Sequence, residues 1–127
     1  GAMIEASKKV KPWRTDVKEA ALECYSSGAL NLPVRAEIEF VFPRPKSHYG
    51  TGKNADVLKP SAPKFCTSRG NGDIDKLSRS TLDGLSVSAG GSVLEDDSLV
   101  VELNTKKRYI NKDELPGAYI AISSIND

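Results

Sequence analysis

Two short acidic clusters are the part of this sequence best suited to chemistry. The first is Asp73-Ile74-Asp75, and the second is Glu95-Asp96-Asp97. Carboxylates that gather in one place repel each other and lose hydration, and a hard divalent cation such as magnesium offsets both costs. A cation held in this way can activate a water molecule and neutralise charge that builds up on a phosphate. The clusters therefore indicate a candidate magnesium site for phosphoryl chemistry.

Each acid also has a purely structural interpretation. Asp73 can cap a helix, Asp75 can complement its dipole, and Asp96 with Asp97 can form a polar turn. The metal hypothesis requires that the two clusters meet. The helix body spans about 17 Å, and the chain from Ser86 to Asp97 can extend to about 36 Å. The second cluster can therefore return to the start of the helix, with the next strand running alongside it.

Hydrophobic periodicity predicts the elements that carry these clusters. Helices are predicted over residues 13–25 and 73–85, and strands over residues 34–42, 98–109 and 118–125. In the first helix, Trp13 and Cys24 fall on the apolar stripe and are predicted to be buried. The first acidic cluster opens the second helix, and the second cluster precedes the second strand. The order of elements predicts an α+β domain.

A long basic loop is predicted between the first strand and the second helix, over residues 43–72. It carries six Lys and Arg residues and one acid, Asp56. Residues 1–72 hold 12 Lys and Arg against 7 Asp and Glu, and residues 73–127 hold 6 against 10. This asymmetry indicates a polyanionic partner, although lysines that only keep a loop soluble would give the same pattern.

The composition is that of a globular chain, with 39% hydrophobic and 28% charged residues. No apolar run approaches the roughly 20 residues of a membrane span, so no membrane partner is expected. Cys24 and Cys66 do not form a C-x-x-C pair, which argues against zinc and redox chemistry and favours a reduced, cytoplasmic chain. Residues 1–3 look like a tag remnant, which leaves residues 4–127 as the domain.

Four segments of the chain carry a resemblance to a known family. They are Gly72-Asp73-Ile74-Asp75-Lys76-Leu77, Thr81-Leu82-Asp83-Gly84-Leu85, Leu94-Glu95-Asp96-Asp97-Ser98-Leu99-Val100-Val101-Glu102-Leu103 and Phe42-Pro43-Arg44-Pro45-Lys46-Ser47-His48-Tyr49. Taken in their order along the chain, they resemble the RusA family of Holliday junction resolvases. That family has a D-x-D at a helix start, an L-D-x-L continuation, a D-D-x-x-V-V strand entry and a later basic residue. The fourth segment is similar to the loop entry of phage-type members.

The resemblance implies a crossover junction endodeoxyribonuclease. The expected enzyme is a homodimer that binds four-way branched DNA and makes paired symmetric nicks with Mg²⁺ or Mn²⁺, in a bacterial or phage-infected cell. The expected fold is a mixed sheet of three to four strands packed with two helices. By motif, the acids Asp73, Asp75 and Asp97 are the expected metal ligands, with Asp96 beside them, and Asp83 is either a supporting acid or a surface residue.

The basic residues receive roles from the same resemblance. Lys107 takes the place of the family's basic strand residue and is expected to face the scissile phosphate. The expected DNA-binding residues are Lys46, His48, Lys53, Lys64, Arg69 and Lys76. His48 is the lone histidine, and a lone loop histidine is more often a surface residue than a base or ligand. Tyr49 could stack on an unpaired base.

Two departures from the family pattern affect the expected chemistry. The family places a catalytic lysine four residues after the second acid of the D-x-D, and Arg79 stands there in this chain. Arginine can stabilise phosphate charge but is a poor proton donor. The family's first strand is also expected to be absent, because the chain starts nearly at its first helix.

Two alternatives to a junction-cutting enzyme stay open. The first is a branched-DNA-binding module with the same fold that does not cut, and the exchange to Arg79 and the expected absence of the first strand favour it. The second is a divalent-metal hydrolase that acts on nucleotides, which the basic loop argues against. Phosphate contacts would make DNA binding fall steeply with salt, and a small substrate would not.

Overall fold

A computed structural model describes residues 2–5 and 13–125 of the chain as one small α+β domain. The strands are β1 (Ala2–Glu5), β2 (Val34–Phe42), β3 (Val100–Tyr109) and β4 (Gly117–Ser124), and the helices are α1 (Trp13–Cys24) and α2 (Ile74–Leu85). The sheet order is β1-β4-β2-β3. Strand β2 is parallel to β3 and antiparallel to β4, and β1 is antiparallel to β4. The expected mixed sheet with two helices is confirmed.

The core lies between the two helices and one face of the sheet. Alternate residues of β2 are buried there: Val34, Ala36, Ile38 and Phe40. Strand β2 is central and pairs on both sides, which explains why its sequence alternates so clearly. From α1, Val17 is fully buried, and Trp13 packs against the same core, with its indole Nε1 donating to Thr81 Oγ1 at 2.9 Å.

Helices α1 and α2 approach each other most closely at Gly84. A Cβ atom built at this position would lie 2.8 Å from the backbone oxygen of Arg14 and 2.9 Å from Cβ of Val17. Neither the backbone nor a fully buried valine can give way easily. The glycine of the L-D-x-L segment is therefore explained by helix packing.

The prediction that the first strand is absent is wrong. Ala2–Glu5 forms β1 at one edge of the sheet, where Ala2 pairs with Ile120 and Ile4 pairs with Ala118. Ile4 is 7% exposed and belongs to the core. Two of the three residues interpreted as a tag remnant, Ala2 and Met3, lie in this strand, and Gly1 lies outside the described residues. Four residues are too few to show a period in the sequence.

Two smaller predictions also need correction. Cys24 is exposed, because α1 ends at this residue and leaves its side chain beyond the packed part of the helix. The strand predicted from residue 98 begins at Val100, because Asp97–Leu99 forms a short 3₁₀ turn.

Arg108 anchors the connection between β3 and β4 on the sheet face opposite the helices. Its guanidinium donates from Nη1 and Nη2 to the two carboxylate oxygens of Glu114, both at 2.7 Å, and from Nε to Glu39 at 2.6 Å. The phenol of Tyr119 also donates to Glu114, at 2.9 Å. The bonds that Glu114 accepts lower its pKa to about 2, and the bond from Arg108 is the largest cause. Charged side chains therefore cover this face.

The long loop is irregular but folded. Short 3₁₀ turns occur at Lys46–His48, Gly52–Asn54 and Arg69–Asn71. Backbone hydrogen bonds connect its two arms, such as Lys59 N to His48 O at 2.9 Å. None of the helices in the described part of the chain is long and apolar enough to cross a membrane.

Candidate functional site

The start of α2 lies beside the carboxyl end of β3. The ammonium of Lys107 donates to the carbonyl oxygen of Gly72 at 3.0 Å, and Gly72 immediately precedes Asp73. One turn into the helix, Ser78 Oγ lies 3.1 Å from Thr105 Oγ1. Lys107 and Thr105 point to the same face of β3, as the period of a strand requires. Lys107, the basic strand residue expected from the motif, therefore lies beside the segment in which the D-x-D of Asp73 and Asp75 begins.

The two acids of the D-x-D have carboxylates that are accessible. Asp73 occupies the N-cap position of α2, yet its side chain makes no capping hydrogen bond. Its carboxylate is 72% exposed and lies 3.7 Å from the ammonium of Lys76. Asp75 is exposed in the first turn and has no hydrogen bond or ion pair with another described residue. The capping interpretation therefore does not account for the Asp73 carboxylate, whereas the place of Asp75 in the first turn fits its helix-dipole interpretation.

In the second cluster, Asp96 has a structural role and Asp97 is exposed. The carboxylate of Asp96 accepts from Ser88 Oγ at 2.5 Å and from the backbone N–H of Ser98 at 3.0 Å. These bonds, with Ser88 first, lower the pKa of Asp96 to about 2. Asp96 therefore caps the 3₁₀ turn, and its oxygens are occupied. Asp97 is exposed, and no partner for its carboxylate occurs among the described residues.

The two clusters do not meet within one chain. Gly72 adjoins Lys107 and Ser78 adjoins Thr105, so α2 and β3 run in opposite directions. Asp97 precedes β3 and therefore lies at the opposite end of that strand from Lys107; the seven residue steps from Val100 to Lys107 alone span about 23 Å. Among residues 2–5 and 13–125, no three His, Cys, Asp or Glu side chains are grouped closely enough to hold a metal ion.

Comparison with protein families gives the decisive observation. The sequence profile of the family described as Endodeoxyribonuclease RusA matches residues 1–123. The chain belongs to the RusA endodeoxyribonuclease family. Neither the curated proteins nor the solved structures contain a significant match to it. RusA membership implies a nuclease that acts on branched DNA and resolves Holliday junctions.

Most of the residues that were predicted to bind DNA are exposed in this RusA chain. In the basic loop, Lys46, Lys53, Lys64 and Arg69 are exposed, and His48 is half-buried. Arg79 is exposed on α2 one turn after Asp75, on the same helix face. Asp83 lies 3.9 Å from Arg14 of α1, which favours its interpretation as a helix-surface acid.

Arg44 and Tyr109 were not among the predicted site residues, yet they organise the entry of the basic loop. The Arg44 guanidinium lies 4.4 Å from the centroid of the Tyr109 ring and donates to Pro63 O at 2.7 Å. Its Nη1 is 3.3 Å from Nδ1 of His48. Because arginine can only donate, this contact is a hydrogen bond when Nδ1 of His48 carries no proton. Stacking between a loop and a strand has no signal in a single sequence.

A cavity of about 380 Å³ adjoins this cluster in the RusA chain. It is lined by Pro43, Arg44, Pro45, His48, Ser68, Asn71 and Tyr109. None of these side chains is acidic, and Asn71 stands two residues before Asp73. The cavity therefore offers hydrogen-bond donors to an anionic group close to the acids of α2.

Phe65 is a third residue that was not among the predicted site residues. Its side chain is 69% exposed, and the ammonium of Lys64 lies 5.5 Å from its ring centroid. An exposed aromatic ring beside a cation in a basic loop can stack on an unpaired base. Phe65 therefore adds an exposed aromatic ring to the basic loop.

Proposed function

We propose that this RusA chain is a metal-dependent, structure-selective endonuclease that resolves Holliday junctions by paired symmetric nicks. The observation that carries the proposal is the hydrogen bond from Lys107 to Gly72 O. It holds a strand cation at the residue that precedes Asp73, in the segment where the exposed carboxylates of Asp73 and Asp75 lie. A lysine beside free carboxylates combines groups that bind a cation with a group that binds a phosphate.

The donor chemistry of the acids fits magnesium or manganese. Asp73 and Asp75 would hold the ion, because carboxylate oxygens are the ligands that these cations prefer. Asp97 of the same chain lies at the opposite end of β3 and is too far away to join them. Asp96 would hold the turn that carries Asp97, because its oxygens accept hydrogen bonds from Ser88 and Ser98. When bound, the ion would supply an activated water and offset charge on the phosphate.

The cationic side chains bind and orient the DNA in this proposal. Lys107 has three ammonium protons and uses one for Gly72, so two can reach the scissile phosphate. Arg79, on the helix face of Asp75, adds a second charge that stabilises the phosphate but does not supply a proton. Residues of the basic loop contact the DNA backbone, which sets affinity without reading sequence.

Cleavage of a mobile four-way junction in magnesium buffer tests the proposal, with linear duplex as the substrate control. Wild-type protein is expected to nick the junction and spare the duplex, and Asp75→Asn is expected to abolish nicking. Asp113→Asn is a matched control, because it makes the same chemical change at an exposed turn residue whose φ of 65° suits asparagine. Equal activity of the two variants would refute the role of Asp75.

A second candidate is a RusA-family module that binds branched DNA without cutting it. Arg79 in place of the family's lysine favours this candidate, and so does the separation of the two acidic clusters within one chain. Binding of the junction by wild-type protein, with no magnesium- or manganese-dependent nicking, would establish it.

A further inference from the structure

The basic loop holds the Arg44 side chain in one place without an acid. Its Nη1 donates to the carbonyl oxygen of Pro63 at 2.7 Å and lies 3.3 Å from Nδ1 of His48. The guanidinium lies 4.4 Å from the centroid of the Tyr109 ring, and Tyr109 is only 7% exposed. A backbone oxygen, an imidazole and a buried ring therefore fix the guanidinium before a ligand arrives, which reduces the entropy that binding costs.

The charge of Arg44 is not neutralised by a carboxylate in the described part of the chain. Arg14, Arg35 and Arg108 each form an ion pair with an Asp or Glu. Arg44 forms none with residues 2–5 or 13–125. An arginine that the fold positions but does not neutralise is suited to binding an anion from outside the chain.

The hydrogen-bond donors that remain on Arg44 have the geometry of a phosphate clamp. A guanidinium has five N–H donors. The two on Nη1 face Pro63 and His48, whereas Nε and Nη2 donate to no residue that the structure describes. Nε and Nη2 form one edge of the guanidinium, and such an edge donates two parallel hydrogen bonds to phosphate oxygens. A phosphate is therefore the anion that this edge fits best.

The cavity beside Arg44 has room and further donors for such a group. Its volume is about 380 Å³, and its lining includes the Ser68 hydroxyl and the Asn71 amide. Nδ2 of Asn71 donates to Cys66 Sγ at 3.1 Å, which orients the amide and leaves its second proton. None of the lining residues is acidic. A fixed cation with a hydroxyl and an amide is suited to a phosphate and not to a metal ion.

The position of the cavity relates it to the phosphate that Lys107 is proposed to face. Lys107 and Tyr109 are two residues apart on one face of β3, so their positions are separated by about 6.6 Å. Asn71, in the cavity lining, directly precedes Gly72, whose carbonyl oxygen accepts from Lys107. One DNA strand advances about 3.4 Å along the helix axis for each nucleotide. The spacing along β3 therefore corresponds to about two nucleotides.

We propose that the Arg44 cavity is a second phosphate subsite. It binds one backbone phosphate of the cut strand that is not the scissile phosphate and lies about two nucleotides from it. By holding this phosphate, Arg44 determines which phosphate of the strand reaches Lys107. The inference rests on the proposed function, because the distance is counted from the cut.

Junctions that each carry a single uncharged methylphosphonate test the subsite, with the substitution moved through the phosphates around the cut. Binding is measured by fluorescence anisotropy in EDTA, so that it does not depend on cleavage. For wild-type protein, one substitution at a phosphate that is not cut is expected to weaken binding about ten-fold. Arg44→Gln is expected to be insensitive at that position. Lys53→Gln, at an exposed residue of the same loop, is the control and is expected to keep the wild-type profile.

Two results would overturn the subsite. One is a wild-type profile without a sensitive phosphate other than the scissile one, which is decisive whether or not the variants fold. The other is an Arg44→Gln profile equal to that of the wild-type protein. Arg44→Lys separates the fork from the charge, because it keeps the charge and is expected to lose most of the sensitivity at that one position.

Cleavage in magnesium buffer separates this inference from the proposed function. Wild-type protein is expected to cut at one phosphate, and Arg44→Gln is expected to spread its cuts over neighbouring phosphates. Nicking by the wild-type protein with either overturning profile would leave the proposed function standing and remove the subsite. A wild-type protein that shows the expected profile but never nicks would retain the phosphate site and refute the proposed function.

Discussion

Replacing Gly84 by alanine has two opposite effects on the free energy of unfolding: a higher helix propensity raises it, and a steric clash between α1 and α2 lowers it. In an exposed helix the change would stabilise the fold by about 1 kcal/mol, because glycine is a poor helix former. At this position the added Cβ would lie 2.8 Å from the backbone oxygen of Arg14 and 2.9 Å from Cβ of Val17. Such overpacking costs about 1–3 kcal/mol. The two helices must separate, and the cost is increased by the lost contacts of Val17, which is fully buried.

We expect Gly84→Ala to lower the free energy of unfolding by about 1–2 kcal/mol. Urea denaturation followed by circular dichroism measures this, with Ser80→Ala as the control for helix propensity at a partly exposed position of the same helix. The control is expected to be neutral or slightly stabilising. Stabilisation of both variants to the same extent would show that α1 and α2 are not in close contact at Gly84.

Three further predictions follow from side-chain contacts. Lys107→Met is expected to lower the nicking rate at saturating junction by roughly 100-fold, measured in single-turnover assays; an unchanged rate would contradict its role at the phosphate. Arg44→Gln is expected to reduce the slope of log affinity against log salt by about 0.9, one phosphate contact, in fluorescence anisotropy titrations, and an unchanged slope would exclude such a contact. Glu114→Gln is expected to cost about 1–3 kcal/mol at pH 7, because it breaks the ion pair with Arg108. The pKa of Glu114 is about 2 in the folded protein, against an ordinary value of 4.5. The stability that this carboxylate contributes is therefore present above pH 4.5 and is lost as the pH falls towards 2. In acid titrations of unfolding, Glu114→Gln should lose less stability over that range than the wild-type protein does.

The elements with a regular hydrophobic period were predictable from the sequence. Strand β2 was predicted with the bounds that the structure shows, Val34–Phe42, because it is central and half of its residues point into the core. Helix α2 was predicted to within one residue for a similar reason. Strand β1 was missed, since its four residues gain their structure by pairing with β4 rather than from their own pattern.

The candidate site was predictable in its residue types but not in its arrangement. The motifs indicated that Asp73, Asp75 and Lys107 belong together, and the Lys107 hydrogen bond to Gly72 places them at one end of α2. The sequence could not show that Asp97 lies at the other end of β3, because chain length sets only the greatest distance between two residues. The direction of a helix relative to a strand depends on tertiary packing.

The small size of β1 limits what its border of the sheet can do. Within the described residues, the sheet ends at β1 on this side. A border of four residues offers few unpaired backbone groups to another molecule. Strand-to-strand aggregation through this border is therefore unfavourable.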